Sequence, residues 1–184
     1  ISKDYQELVN PSDYGDLVYS GPARPTWFGG FRNTLSFRGM ELSFNLMFKL
    51  GYFVRRSSVN YGQLYSSGRM HRDFEGRWTS PGDERKTSTP SMAYPSDPNR
   101  DSFYLRSEAL VESGSQIRFQ DLSFSYSFPK GSSMFRAVRN PKLSFYMDNV
   151  GLLWKGSSLD LDPDFPRSGI PSSRSYALGI SFNL

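Results

Sequence analysis

The chain has 184 residues, a formal net charge of +4, a single histidine and no cysteine. These numbers exclude disulfides, thiol catalysis and cysteine-ligated zinc, and they leave no cofactor or metal site to expect from the composition. Its 22 lysines and arginines are spread among 18 acidic residues rather than clustered, so no nucleic-acid partner is expected.

The first part of the chain, residues 1–25, has weak periodicity and many turn-forming residues, which predicts a loop or entry segment with one short strand near Leu17–Tyr19. Residues 26–53 are predicted to form a strand hairpin. Its strands cover Trp27–Phe37 and Met40–Phe53, and the intervening Arg38-Gly39 is a two-residue turn signal, because glycine adopts positive φ at no steric cost.

The second of these strands alternates large apolar residues with small or polar ones over eleven positions, enough for a tilted strand to cross a bilayer of ~30 Å. A second alternating apolar pattern runs through the last residues of the chain. Successive side chains of a strand point to opposite faces, so the apolar residues of each pattern line one face. Apolar residues toward lipid and polar ones toward a lumen are typical of an outer-membrane β-barrel. The apolar residues of the first pattern are Leu42, Phe44, Leu46, Phe48, Leu50 and Tyr52. Those of the second are Tyr176, Leu178, Ile180, Phe182 and Leu184.

A long polar stretch with interspersed aromatic residues follows at 54–114 and is predicted to be an extracellular loop. Residues 115–184 then hold the final strands, over Ile117–Phe128, Leu143–Trp154 and Arg174–Leu184. A connector with a short helical turn near Met134–Val138 separates the first two of these strands, and a second long loop at 155–173 separates the last two.

Short and long connections therefore alternate along the chain, as they do between the two sides of a porin-like wall. Closing a barrel needs at least eight strands, whereas about five are visible. The fold class expected is all-β, with antiparallel transmembrane barrel strands. The chain is expected to be the C-terminal part of a larger, plugged barrel, with Ser43, Asn45, Lys49, Ser123 and Ser125 lining its lumen.

Several loop residues are candidates for contact with a substrate or partner. Asp160, Asp162 and Asp164 alternate and could converge, but Phe165 and Pro171 stand where a calcium loop of the EF type needs Gly and Glu. A solvated or substrate-facing loop is the better interpretation. Further candidates are Arg77, Trp78, Asp83 and Tyr104, whose side chains could contact a sugar or instead pack the long loop. No nucleophile motif or paired-acid motif occurs, and no enzyme is expected.

Five phrases of the chain, in order, resemble the C-terminal end of the SusC/RagA family of TonB-linked outer-membrane transporters. They are Arg24–Ser43, Arg77–Asp83, Glu112–Phe119 with Ser125–Pro129, Leu152–Trp154 with Asp162–Asp164, and Arg174–Ile180. The acidic phrase that often precedes the first strand pair is missing, since only Asp13-Tyr14-Gly15-Asp16 stands there, so a calcium site is not expected at that place.

The resemblance implies a barrel of twenty-two strands in the bacterial outer membrane and TonB-energised import of an oligosaccharide or peptide. It also implies partners: the rest of the barrel and its plug domain, membrane lipid, the TonB complex and a SusD-like surface lipoprotein. The alternative from the residues alone is a soluble β-sandwich that binds carbohydrate, which also has alternating strands and loop aromatics.

Overall fold

The computed structural model describes residues 4–10, 13, 15, 17–129, 138–167 and 171–183. The chain divides into two compact units, one containing Phe53–Glu112 and the other Pro22–Tyr52, Ser113–Phe165 and the last strand. The strands are β1 (Trp27–Phe37), β2 (Met40–Leu50), β3 (Phe53–Arg55), β4 (Val111–Ser113), β5 (Gln116–Ser127), β6 (Arg139–Lys155) and β7 (Ser175–Asn183). The helices are α1 (Tyr5–Val9), α2 (Tyr61–Ser67) and α3 (Pro98–Arg106), with 3₁₀ turns at Arg72–Phe74, Asp83–Arg85 and Glu108–Leu110.

A five-stranded antiparallel sheet of order β1-β2-β5-β6-β7 dominates the larger unit. The predicted all-β, antiparallel character is confirmed, and the described strands form an open sheet rather than a closed barrel. The β1 strand has the predicted bounds. The β2 strand ends three residues earlier than predicted, before Gly51, whose φ is +70°. The β6 strand begins at Arg139, four residues earlier than predicted.

The turn between β1 and β2 has the predicted tight form. Arg38 and Gly39 take φ values of +48° and +83°, the left-handed pair that matches the twist of a two-residue hairpin. A Cβ on Gly39 would lie 2.7 Å from the carbonyl oxygen of Ser127, so glycine is needed there for space as well as for conformation.

The large apolar side chains share one face of this sheet, as the alternation predicts. Leu42 pairs with Phe124, and Phe124 with Phe145, which in turn pairs with Leu178. The ring centroids of Phe44 and Phe119 are 6.3 Å apart in an edge-to-face arrangement, so these aromatic side chains pack together along the face.

This apolar face is the open face of the sheet. Leu178 and Ile180 are 79% and 72% exposed, and Phe31 on β1 is 54% exposed. The opposite face carries the buried polar side chains, which are Ser43, Gln116, Arg118, Asp121 and Ser125. The burial is therefore the reverse of that in a water-soluble sheet, where the apolar face is the covered one.

The smaller unit fills much of the predicted loop at 54–114 with regular structure. It contains α2, α3 and the β3–β4 pair around a core of Val59, Tyr61, Tyr104 and Leu110. Both helices have local start signals, since Asn60 caps α2 and Asp97 caps α3. Among the described residues, no helix combines the length and apolarity of a membrane span, a finding that bears on helical spans alone.

Two expectations for the remaining segments have different outcomes. The strand predicted at Leu17–Tyr19 is wrong: these residues have no regular structure, and all three side chains are more than half exposed, so no packed face stabilises a strand. The helix α1 lies earlier in that segment, where the Asp4 side chain accepts a hydrogen bond from the Glu7 amide. The turn predicted near Met134–Val138 falls on positions 134–137, outside the described residues.

Candidate functional site

The polar face of the sheet carries a buried cluster of charges at the ends of β2 and β5. Arg118 is at its centre, with a side chain 9% exposed. Its Nη2 donates to Asp162 Oδ1 at 2.6 Å, and its Nη1 donates to Asn149 Oδ1 at 3.0 Å. Its Nε lies 3.5 Å from Asp164 Oδ2. Charge-assisted bonds of this kind are about twice as strong as neutral ones, so the guanidinium is held firmly in place.

Asp164 connects the same cluster to two further strand residues. Its Oδ1 accepts from Lys49 Nζ at 2.7 Å and from Gln116 Nε2 at 2.8 Å. Gln116 is 1% exposed, and its Nε2 also donates to the hydroxyl oxygen of Tyr52 at 3.1 Å. Two carboxylates from the segment after β6 are thus neutralised by two cations of the sheet.

Residues 156–165, here called the strap, are bonded to the sheet through these carboxylates. Lys155, at the end of β6, adds a bond from its Nζ to the carbonyl oxygen of Leu159 at 2.6 Å. Asn149 donates from Nδ2 to the carbonyl oxygen of Ser172 at 2.6 Å, which ties down the returning arm of the same loop. Arg118 is therefore linked to both arms of the β6–β7 loop. It bonds to Asp162 of the strap, and it bonds to Asn149, which in turn bonds to Ser172 of the returning arm.

A second ion pair lies further along the polar face. Arg32 Nη2 donates to Asp121 Oδ2 at 2.8 Å, and Asn45 Nδ2 donates to the same oxygen at 3.1 Å. The Asp121 side chain is 7% exposed, while that of Arg32 is 56% exposed. A nearly buried carboxylate on β5 is stabilised here by a cation from β1 and an amide from β2.

An open polar cleft of about 460 Å³ adjoins the Arg118 cluster in the larger unit. Its lining mixes carboxylates, amides, hydroxyls, one guanidinium and one aromatic ring. The lining residues are Arg118, Gln120, Asp148, Asn149, Asp164, Phe165, Ser172 and Ser173.

The three candidate aspartates after β6 have different surroundings. Asp162 and Asp164 lie together, with the Asp164 amide donating to Asp162 Oδ1 at 3.0 Å, and both carboxylates are ion-paired to the sheet. Asp160 is exposed. No group of three or more His, Asp or Glu side chains in the described part of the chain has a metal-binding arrangement.

The other candidates lie in the smaller unit and contact their own neighbours. The Arg77 guanidinium lies 3.9 Å from the centre of the Phe74 ring. Trp78, which is 38% exposed, donates from Nε1 to the carbonyl oxygen of Ser80 at 2.5 Å. Tyr104 is 7% exposed, and its hydroxyl lies 2.7 Å from Ser58 Oγ. Of these three, Trp78 is the one that presents substantial apolar surface to solvent.

Asp83 stabilises the turn that follows Trp78. Its carboxylate accepts from the amide of Ser80 at 2.9 Å and from the amide and hydroxyl of Thr79 at 3.2 Å. These backbone bonds lower the pKa of Asp83 below its ordinary value, because they stabilise the charged carboxylate. The bond from the Ser80 amide has the largest effect, and the bond from the Thr79 amide has the next largest. Asp83 thus closes a loop turn through backbone bonds.

Sequence reasoning passed over Asp73, which ties the start of the smaller unit together. It accepts from Ser58 Oγ at 2.5 Å and from Arg56 Nη1. Burial alone would raise the pKa of Asp73, but the bonds from Ser58 and Arg56 outweigh it and lower that pKa.

Arg118, Asp121 and Asp148 were also missed as candidate site residues. Arg118 and Asp121 are charged residues within a predicted strand, and such residues on a wall strand point to the polar side. That pattern could have identified Arg118 and Asp121 as residues of the polar face, although it could not have revealed which side chains they bond to.

Known proteins resemble this chain in sequence and in fold. No protein-family model matches the chain. TonB-dependent receptor P26 of Formosa agariphila is 25% identical over 192 aligned residues, a match that covers 90% of this chain and 18% of the receptor. The predicted resemblance is confirmed. The chain is similar to TonB-dependent receptors of the SusC/RagA type over nine-tenths of its length.

Solved structures of the RagAB peptide importer share the fold. The "open-open" state matches with a TM-score of 0.60 and 18% identity, over 90% of this chain and 18% of the importer chain. The "closed-closed" state matches with a TM-score of 0.61 and 20% identity, over 89% of this chain and 18% of the importer chain. The chain thus spans about a fifth of the length of the proteins it matches.

Proposed function

We propose that this chain forms part of the barrel wall and extracellular loops of a bacterial outer-membrane transporter, which imports an oligosaccharide or peptide with energy from TonB. The observation that carries the proposal is the two-faced sheet: exposed apolar side chains on one face and buried, ion-paired side chains on the other. The similarity to a TonB-dependent receptor supports the same assignment.

The apolar face has the chemistry of a lipid contact. Leu178, Ile180 and Phe182 on β7 are all more than half exposed, and Phe31 and Leu35 continue the face on β1. Burying apolar surface is worth roughly 25 cal/mol per Å², so leaving a whole sheet face in water is costly, whereas lipid removes that cost. A β-sandwich that binds carbohydrate would instead cover this face with a second sheet.

The polar face has the chemistry of a lumen wall. Arg118, Asp162, Lys49 and Asp164 form compensating pairs, which toward lipid would carry a large desolvation cost. The strap lies against this face through those pairs and so belongs, in this assignment, to the lumen side. Transport requires no covalent chemistry of these residues, and the chain is proposed to have no enzymatic role.

The partners follow from the same assignment. The loops at 54–114 and 155–173 would lie on the extracellular side and contact substrate or a SusD-like surface lipoprotein, while the turn at Arg38-Gly39 would face the periplasm. The plug domain and the contact with TonB would come from the rest of the protein, since the chain spans 18% of the matched receptor.

Uptake measurements on cells that express the full-length protein test this proposal. Uptake of labelled oligosaccharides or peptides should be lost both when the gene is deleted and when TonB is deleted, and it should return with the wild-type gene. Uptake that persists without TonB would contradict the proposal. A surface lipoprotein should also copurify with the full-length protein in detergent, and less of it should copurify when the loop at 54–114 is shortened.

A further inference from the structure

The cleft beside Arg118 has an uncompensated negative charge. Arg118 and Lys49 are balanced by Asp162 and Asp164. The remaining carboxylate of the lining belongs to Asp148, on β6. Among the described residues, no ion pair joins Asp148 to a cation. Its carboxylate accepts a long hydrogen bond from Gln120 Nε2 at 3.4 Å and also bonds with the hydroxyl of Tyr146, both of which are neutral groups.

The register of the sheet makes this negative charge more costly. Asp148 lies directly opposite Asp121 in the β5–β6 pair. Like charges at opposite positions of a strand pair are destabilising. Arg32 and Asn45 satisfy the Asp121 carboxylate, and their bonds both go to Asp121 rather than to Asp148. A positive group placed at Asp148 would relieve the repulsion.

The geometry points to a binding site in this cleft for a positively charged amine or guanidinium, with Asp148 as its acceptor. The inference rests on the proposed function, and it makes a basic peptide, rather than a neutral glycan, the substrate class of this part of the lumen.

The rest of the lining suits such a group. The side-chain oxygens of Gln120, Ser172 and Ser173 can accept hydrogen bonds from an ammonium, which has three donors and no acceptor. The Phe165 ring supplies an apolar wall for the aliphatic stem of a lysine and a face that attracts cations. The volume of about 460 Å³ lies within the range of ligand pockets and exceeds what one amino-acid side chain needs.

Arg118 does not repel a cation strongly here, because its charge is already compensated. Its Nη2 contacts the Asp162 carboxylate at 2.6 Å, and its Nε lies 3.5 Å from that of Asp164. The guanidinium is bonded to the carboxylates of the strap, while the carboxylate of Asp148, whose partners are neutral, keeps its charge for a ligand.

Equilibrium binding to the purified full-length protein in detergent tests the inference. The probes are a pool of short peptides, blocked at both ends and each with one lysine, and the same pool with every lysine acetylated. We expect the acetylated pool to bind at least about tenfold more weakly, because a hydrogen bond to a charged group is lost. Asp148→Asn should abolish this preference, and Asp148→Glu, which keeps the charge, should retain most of it.

Glu41→Gln is the matched control, because Glu41 lies on the same face, is exposed and is outside the cleft lining. It should leave the preference unchanged. Equal binding of the two pools, absence of binding by both, or an Asp148→Asn protein that discriminates like wild type would overturn the inference. TonB-dependent uptake with no effect of Asp148→Asn on binding would refute this site alone, whereas lysine-selective binding without TonB-dependent uptake would refute the proposed function alone.

Discussion

Arg118 donates to Asp162 at 2.6 Å across 44 positions of sequence, and this bond ties the strap to the polar face of the sheet. The Arg118 side chain is 9% exposed and that of Asp162 14%. Breaking a buried pair by removing one partner leaves an uncompensated charge, which makes the pair a sensitive point of the structure.

Arg118→Gln should lower the free energy of unfolding of the full-length protein by about 3–5 kcal/mol, because two strap carboxylates lose their buried partner. Lys86→Gln is the control, since Lys86 is 79% exposed and its pair with Asp83 is loose at 3.7 Å; it should cost at most about 1 kcal/mol. Denaturant unfolding in detergent measures both. Equal losses in the two variants would show that the Arg118 pair has no special role.

A charge placed on the apolar face should be costly, and the same charge on the polar face should not. Leu46→Arg should destabilise the protein folded in lipid vesicles by about 2–4 kcal/mol, the cost of arginine in the middle of a lipid face. Ala177→Arg puts the same side chain on the polar face of β7, at an exposed position opposite Tyr146, and the loss there should be much smaller. The reverse order would mean that the faces are assigned the wrong way round.

The β1–β2 turn should discriminate between its two residues. Gly39→Ala should destabilise the hairpin by about 1–2 kcal/mol, because its φ of +83° is unfavourable for a residue with a Cβ. Arg38→Gly should be neutral or stabilising, since Arg38 already has a φ of +48° that glycine adopts more readily. Thermal unfolding of both full-length variants measures the difference. Similar midpoints for the two would contradict the left-handed geometry of the turn.

Acid should weaken the smaller unit through Asp73. The pKa of Asp73 is below its ordinary value of 3.8, so its contribution to stability is complete above that value and is lost as the pH falls through the lowered pKa. The protection factors of the α3 amides, which correct for the slower intrinsic exchange in acid, should therefore fall in this acidic range. Asp73→Asn should already exchange faster at neutral pH and should show a smaller change with acid. An unchanged acid response in that variant would assign the effect to other carboxylates.

The sheet could be predicted from sequence because its strands and its first turn are determined by residues that are neighbours in the sequence. Alternation along β2 and β7 fixes both strand and face, and Arg38-Gly39 fixes one turn. The small helices were missed for a physical reason: α2 and α3 span 7 and 9 residues, too few to show an amphipathic period, although Asn60 and Asp97 are readable caps.

The candidate site could be predicted only in part. The alternation of Asp162 and Asp164 marked them as neighbours, but their partners Arg118 and Lys49 lie 44 and 115 positions away. Such pairs depend on strand register, which shifts between Asn45 and Leu46 where β2 meets β5. That Asp148 has neutral rather than cationic partners among the described residues likewise becomes visible only when its cross-strand neighbours are known.

Two adjacent positions of β7 report directly which face of the sheet contacts lipid. Leu178 is in register with Phe145 on the apolar face, and Ala177 is in register with Tyr146 on the polar face. Leu178→Cys and Ala177→Cys, each in a full-length protein without other cysteines, are labelled with a fluorophore and folded into vesicles of brominated lipid. If the apolar face contacts lipid, the bromine atoms will quench the fluorophore strongly at 178 and weakly at 177. Equal quenching at both positions, or stronger quenching at 177, would show that this face does not contact lipid.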